Sequence, residues 1–429
     1  PIPLHLVIIS RRDPPLSLVV LRAKGQITDI RMQDLRFSKE ETRSYLENTL
    51  RFSADEALLA KLDSKIEGWA VGLQLLSLAS RSSGDPVGFL EHMPGGGQQS
   101  QKYMVYEVIE KQPPGLREWL LKSAILDRFC GSLCDVVCAE RDDAETPPMD
   151  GDRFISTLCD ENIFVIQLDA HGEWFRYHHL FQALLQRELS KRLVPGEIAE
   201  LHSHASAWFE NRGMLDQAIR HALAADDPVR AAEIIEANRD DEFIADRWFT
   251  VERWLSMIPA EIKQERYKLL LAEAWIRNLQ HQLVRVPMLL DRAESLLRSQ
   301  TAEPVALAEI AFFRGYIAYF EGEAEQSVKY LENAVSTLAG TKSPFLGETE
   351  LLLGIARCMN GNKDLAVQAL ESRLGEIDSS EPYLLCRLIA GLAYIRMLSG
   401  DLYQLQKEGQ RLLDVSKKHK MGLAEAWAY

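Results

Sequence analysis

The chain contains no run of the roughly 18 consecutive apolar residues that a transmembrane helix requires. Pro1-Ile2-Pro3-Leu4-His5 has no basic stretch leading into an apolar block, so no secretory signal is expected, no membrane partner, and a cytoplasmic location. Cysteine is scarce: six among 429 residues cannot build a disulfide scaffold, which agrees with a reducing compartment. Positive charge is also short. With 49 basic against 63 acidic residues the net charge is −14, and such a surface repels a phosphate backbone. DNA binding by this chain itself is therefore disfavoured. The phosphate-cradling pattern GxxxxGK[ST] is missing, and Gly95–Lys102 is no substitute because it follows no strand. No Ser/His/Asp or Cys/His nucleophile arrangement is present, and spacing singles out no carboxylate pair. An initiating Met is absent, and the chain stops at Tyr429 within a helical pattern, so an interior piece of a longer protein is expected.

What the sequence does contain is enough apolar surface for real cores. Hydrophobic residues make up 46% and charged residues 26%, and the length suits two to four domains at roughly 100–200 residues each. His5–Ser10 is a continuous apolar run, the signature of a strand buried in a parallel sheet, and Pro14-Pro15 ends it. Three helix starts have a capping-box spelling, Ser38 with Glu41, Ser53 with Glu56, and Ser64 with Glu67. The last opens an apolar helix, Ile66–Leu76, in which Gly68 and Gly72 each cost about 1 kcal/mol and so imply close packing or a ligand. A Pro/Gly/Ser-rich linker covers Ser80–Gln101. Pro113-Pro114 opens another helix, and Asn162–Leu168 and Trp174–Tyr177 flank a polar turn, giving a β-hairpin. Helices followed by one hairpin suggest a winged helix.

Beyond Pro195 no strand is predicted, and the informative signal is periodic. Gly322, Gly361 and Gly400 are 39 residues apart, each between two helical segments. Helix–turn–helix units near that period are tetratricopeptide-like and stack into a superhelix. Looser pairs break near Gly213 and Gln280.

Several motifs stand in one order: Ser10-Arg11-Arg12-Asp13-Pro14-Pro15, Leu21-Arg22, Leu35-Arg36-Phe37-Ser38 with Glu40-Glu41, Gly68–Leu75, Arg176–Phe181, and Leu201-His202 leading to Ala207-Trp208-Phe209. This string resembles the large ATP-binding LuxR-type transcriptional regulators, members of the signal-transducing STAND NTPases. The resemblance covers residues 1 to about 260 by motif and the rest by architecture. It implies a mainly α chain. Its parts would be the C-terminal remnant of a P-loop α/β ATPase domain (1–35, sensor strand), a helical lid and linker (36–100), a winged helix (101–195), a helical arm (196–265) and a TPR-like superhelix that senses (266–429). The family's Walker motifs and DNA-binding helix-turn-helix are not in this chain.

The same resemblance assigns roles. Arg11 would be the sensor arginine at the γ-phosphate, with Arg12 as the fallback; a planar, permanently charged fork suits phosphate oxygens, and a surface pair with Asp13 is the plain alternative. His178 aligns with the histidine of a Met-His-Asp motif that reaches ADP phosphate, although Tyr177-His178-His179 lacks the acidic third member. The alternative is a histidine packed where hairpin meets helix. Gly72 and Gln74 match the lid helix beside adenine, with Gln74 where related proteins have proline, while Trp69, Leu73 and Leu76 read as packing. The implied cofactor is ATP or ADP with Mg, in the parent protein, and the implied activity is a slow ATPase switch that the piece alone would not perform. The implied partners are a small-molecule or protein inducer on the repeats, further copies of the activated protein, and DNA through the missing C-terminal domain. A different class stays open, a TPR-like protein-interaction scaffold with a degenerate NTPase remnant.

Cys130, Cys134 and Cys138 recur at i, i+4 and i+8, but zinc wants a fourth ligand and tighter pairs, so core thiols are expected and no metal site. His202 and His204 point to different helix faces. Trp275, Tyr316, Tyr319, Phe320 and Tyr394 fall where helical arrays pack their neighbours, and core packing is expected to outweigh a role in lining a concave surface.

Overall fold

The computed structural model describes residues 7–8, 18–30, 32–50, 55–66, 68, 73, 109–110, 112–138, 149–161, 163–299, 303–341, 343–377 and 381–429. The chain divides into two compact units, Pro1–Gly213 and Met214–Tyr429.

In the first unit the described helices are α1 (Leu18–Ala23), α2 (Lys39–Leu50), α3 (Glu56–Ile66), α4 (Pro114–Ser123), α5 (Gly131–Cys138), α6 (Gly151–Asp160), α7 (His179–Arg192) and α8 (Pro195–Asn211), with strands β1 (Val165–Gln167) and β2 (Phe175–Tyr177) between α6 and α7. The capping box at α2 forms as spelled: Glu41 N–H donates to Ser38 Oγ at 3.2 Å, and Ser38 N–H donates to the Glu41 carboxylate at 2.8 Å. The start expected at Ser64 does not form, because Ser64 lies within α3. Nor is Gly68 inside a helix. It takes φ +67°, and its carbonyl accepts from Phe37 N–H at 2.7 Å. A Cβ at Gly68 would fall on the Phe37 carbonyl, so close backbone approach explains the glycine without a ligand. Val7 and Ile8, the described part of the apolar run 5–10, are exposed and in no regular element. A parallel strand is held by its neighbours, and none is present there among the described residues.

The winged-helix core is well determined by its sequence. Pro114 occupies the first turn of α4, where a missing N–H costs nothing. Asp150 caps α6 by accepting from Arg153 N–H at 2.7 Å. A Cβ on Gly151 would strike the Gly131 carbonyl, so α5 and α6 meet backbone to backbone. The hairpin pairs antiparallel, Val165 opposite Tyr177 and Gln167 opposite Phe175. Its turn is held by Asp169, which accepts from Glu173 N–H at 3.0 Å and Trp174 N–H at 2.8 Å. Phe129 adds an isolated bridge to Phe175. Trp119, Phe129, Phe154, Tyr177 and Phe181 fill the core with tilted and edge-on contacts at 4.7–6.4 Å. Cys134 and Cys138 are buried there, and Cys138 Sγ approaches Trp119 O at 3.7 Å; the side-chain contact with Cys138, and then burial, hold the Cys134 thiol well above its ordinary pKa. These are core thiols.

The second unit is helical throughout its described residues. Its helices are α9 (Leu215–Ala224), α10 (Pro228–Ile244), α11 (Trp248–Met257), α12 (Ala260–Gln264), α13 (Tyr267–Leu279), α14 (Val286–Ser299), α15 (Pro304–Phe320), α16 (Ala324–Leu338), α17 (Phe345–Met359), α18 (Lys363–Glu376), α19 (Pro382–Leu398), α20 (Leu402–His419) and α21 (Gly422–Ala428). The 39-residue period is structural. Gly322, Gly361 and Gly400 take φ +81°, +81° and +70° between α15 and α16, α17 and α18, and α19 and α20. At these turns an L side chain is strained, which is why the period is written in glycine. Near Gln280 the same break is made by His281 at φ +58°.

Candidate functional site

His178 sits at the start of α7, directly after β2, with φ −59° and ψ 134°. Its N–H donates to Phe164 O at 2.9 Å, and its carbonyl accepts from Gln182 N–H at 2.9 Å. The imidazole is 6% exposed and makes no capping bond to its own helix. Its platform is fastened by side-chain amides. Gln182 Nε2 donates to Ala124 O at 3.1 Å and Leu126 O at 2.9 Å, and Gln186 Nε2 donates to Ala124 O at 2.9 Å, tying α7 to the end of α4. Tyr177, fully buried, shares a 2.7 Å hydrogen bond with Ser123 Oγ, and burial raises its hydroxyl pKa well above the ordinary value. His179, next along, is exposed.

Of the site residues expected from sequence, His178 alone lies in a described segment. Arg11, Arg12, Gly72 and Gln74 all fall outside the described residues. Chemically, the first turn of any helix leaves N–H groups without intrahelical acceptors, and that end of the helix dipole favours an anion. A histidine at the N-cap of a 14-residue helix therefore suits a phosphate oxygen, as a donor beside a positive helix end.

The second unit holds polar groups that sequence reasoning missed. Arg387, 1% exposed on α19, pairs with Glu348 on α17 and stands 3.8 Å from Asp246. Its guanidinium also stacks on Tyr383 at 4.3 Å and Trp427 at 4.6 Å. Burial opposes its charge, but Tyr383, Glu348 and Asp246 outweigh that and keep its pKa above the ordinary range. Arg239 on α10 binds both oxygens of Glu309 on α15, at 2.8 and 2.9 Å. Burial pushes the Glu309 carboxyl up to about 7, against the pull of Arg239. No spacing along the chain announces the first pair, because Arg239 and Glu309 are 70 residues apart; Glu348 and Arg387 are 39 apart. The second separation equals the repeat period, the one signal that could have found it.

The aromatics divide. Trp275 is core, packed on Phe243, Phe312, Phe313 and Phe345. Core packing fails for Phe320 and Tyr394, which are 59% and 38% exposed. Phe320 is the last residue of α15, and Tyr394 stands beside the buried Ile395 in the last part of α19, on a face that neighbouring helices leave open. Beside the start of α19 is a cavity of about 590 Å³ whose lining includes Leu346, Gly347, Arg373, Tyr383 and Leu384. Among the described residues, no group of three or more His, Cys, Asp or Glu could hold a metal ion, and no helix is long and apolar enough to cross a membrane.

Residues 105–197 match the MalT winged helix domain. The chain is 28% identical over 339 residues to the HTH-type transcriptional regulator MalT of Yersinia enterocolitica, a match covering 78% of this chain and 36% of that protein. It therefore spans about a third of that relative's length. A solved structure of a STAND protein with a tetratricopeptide repeat sensor, from Pyrococcus horikoshii, overlaps 92% of this chain and 63% of its own at 10% identity and a TM-score of 0.49.

Proposed function

Taking the chain as a relative of the MalT-type transcriptional regulators, we propose that it is the switching and sensing region of a nucleotide-dependent transcriptional regulator. The observation that carries this reading is the position of His178. It lies within the segment matching the MalT winged helix, buried on a hairpin–helix junction at a helix N-terminus. There His178 holds a phosphate of bound ADP, with Arg11 or Arg12 at the γ-phosphate of ATP and Gly72 and Gln74 along the adenine. ATP or ADP with Mg would supply the charge that these donors read. DNA contact belongs to a domain beyond this chain, since a net charge of −14 disfavours it here.

The helical repeats receive the inducer. The cavity beside α19 has the size of small-molecule sites, which run from roughly 300 to 1,000 Å³. Inducer and ATP together favour an open, self-associating state over an ADP-held closed one, a shift of populations set by their differential affinity for the two.

The test is nucleotide retention by the full protein that carries this chain. The wild type is expected to purify with ADP, and His178→Ala to release it at least about tenfold faster, a loss of roughly 1.4 kcal/mol of binding. Arg11→Ala is expected to weaken ATP more than ADP. A folded protein without nucleotide, or a His178→Ala variant with unchanged release, overturns the reading.

A further inference from the structure

The 39-residue repeat places three large apolar side chains in one register. Two residues before each turn glycine stand Phe320, Met359 and Leu398, exposed by 59%, 45% and 50%. A single exposed apolar residue needs no explanation, but the same exposure at one position of three successive repeats does. The core of these helices is made elsewhere along them, by residues such as Phe312, Leu353 and Leu392, all buried. In a stacked array, equal repeat positions fall on a line, so the three form a stripe across the C-terminal ends of α15, α17 and α19. Tyr319 Oη lies 3.4 Å from Tyr394 Oη, which brings the ends of α15 and α19 together on that face.

The stripe is acidic at its first turn, whereas its middle turn, Asn360-Gly361-Asn362, holds no carboxylate and leads into Lys363, and at its third turn Asp401 is paired with Arg396. Its arginines are engaged within the unit: Arg357 with Glu332 at 2.8 Å, and Arg396 with Glu371 at 3.1 Å. Glu321 and Glu323, flanking Gly322, are exposed carboxylates. A second copy of so acidic a chain is a poor match for that rim.

We propose that this stripe docks a basic amphipathic helix of a partner protein. Of the three helices α17 and α19 pack side by side along their length, and helices so packed lie about 8–10 Å apart, so Met359 and Leu398 offer apolar contacts at about that interval. On a partner helix, residues seven apart rise about 10.5 Å and share a face. On an extended strand, same-face residues are spaced about 6.6 or 13 Å, which fits neither way. Lysines alongside the apolar seam then face Glu321 and Glu323. The inference stands apart from the nucleotide reading, because it rests on the repeats alone and survives a protein that binds no nucleotide.

The experiment uses the whole chain and a fluorescent synthetic helix of about 18 residues, with leucine at heptad seam positions and lysine outside them, titrated by anisotropy. Saturable one-to-one binding is expected, weakened at least about tenfold in the triple variant Phe320→Ser, Met359→Ser, Leu398→Ser. Replacing the peptide's lysines by glutamate is expected to weaken binding similarly. Circular dichroism reports whether the variant stays folded, and Met359→Lys alone serves as a milder probe at the centre of the stripe. Binding indifferent to the substitutions or to the peptide's charge overturns the proposal. So does self-association of the wild-type chain that the triple variant abolishes, which would make the stripe an interface between copies.

Discussion

Tyr177 and Ser123 illustrate how one buried hydrogen bond acts unequally on its two partners. Ser123 Oγ–H donates to Trp119 O at 2.6 Å, so the Tyr177 hydroxyl must be the donor in the 2.7 Å bond between the two side chains. Ser123→Ala leaves a fully buried phenol with no acceptor, at about 1–3 kcal/mol. Tyr177→Phe removes the donor and leaves serine its bond to Trp119, at about 1 kcal/mol. Urea unfolding of the winged-helix core is expected to rank the two in that order, and the reverse order would mean that the serine proton points to tyrosine. The same rule governs Arg387, where truncation would leave Glu348 and Asp246 as buried carboxylates without their counter-charge.

Among the elements, the repeat turns and the helix interiors use glycine for different reasons. Gly361 has φ +81° and nothing within 4 Å of where a Cβ would sit, so its requirement is purely conformational. Gly361→Ala is expected to cost about 1–2 kcal/mol and Gly361→Asn clearly less, since asparagine tolerates the left-handed region. Gly354, inside α17, has an ordinary helical backbone, but a Cβ there would lie 2.8 Å from Leu370 Cδ1. Gly354→Ala is therefore expected to cost about 1–3 kcal/mol through overpacking, and Gly354→Asn to be worse rather than better. Chemical denaturation of the four variants separates the two causes; equal effects of asparagine at both sites would refute the distinction.

Considered whole, the chain is acidic, mainly helical and made of two compact units. Its charge predicts that it does not hold duplex DNA. At physiological salt no electrophoretic shift is expected up to roughly 10 µM, where ordinary non-specific binders already engage. A shift that fades steeply with salt would reveal a basic face and would move DNA contact into this chain. The chain matches about a third of a MalT regulator's length.

Local sequence determined the parts that depend on local chemistry. Ser38 and Glu41 cap α2, Pro114 opens α4, Asp169 turns the hairpin, and glycines at 322, 361 and 400 set the repeat, because each needs only its neighbours along the chain. The ordered motifs likewise carried the resemblance to the MalT-type regulators, with which residues 105–197 share a winged helix. Tertiary structure decided the rest. Ser64 had a cap's spelling but lies within α3, and Gly68 serves a contact with Phe37 that lies 31 residues back. Which aromatics are core and which are exposed, and which arginine meets which carboxylate, depends on how helices stack. Burial and long-range pairing are properties of the packed array, and no single helix encodes them.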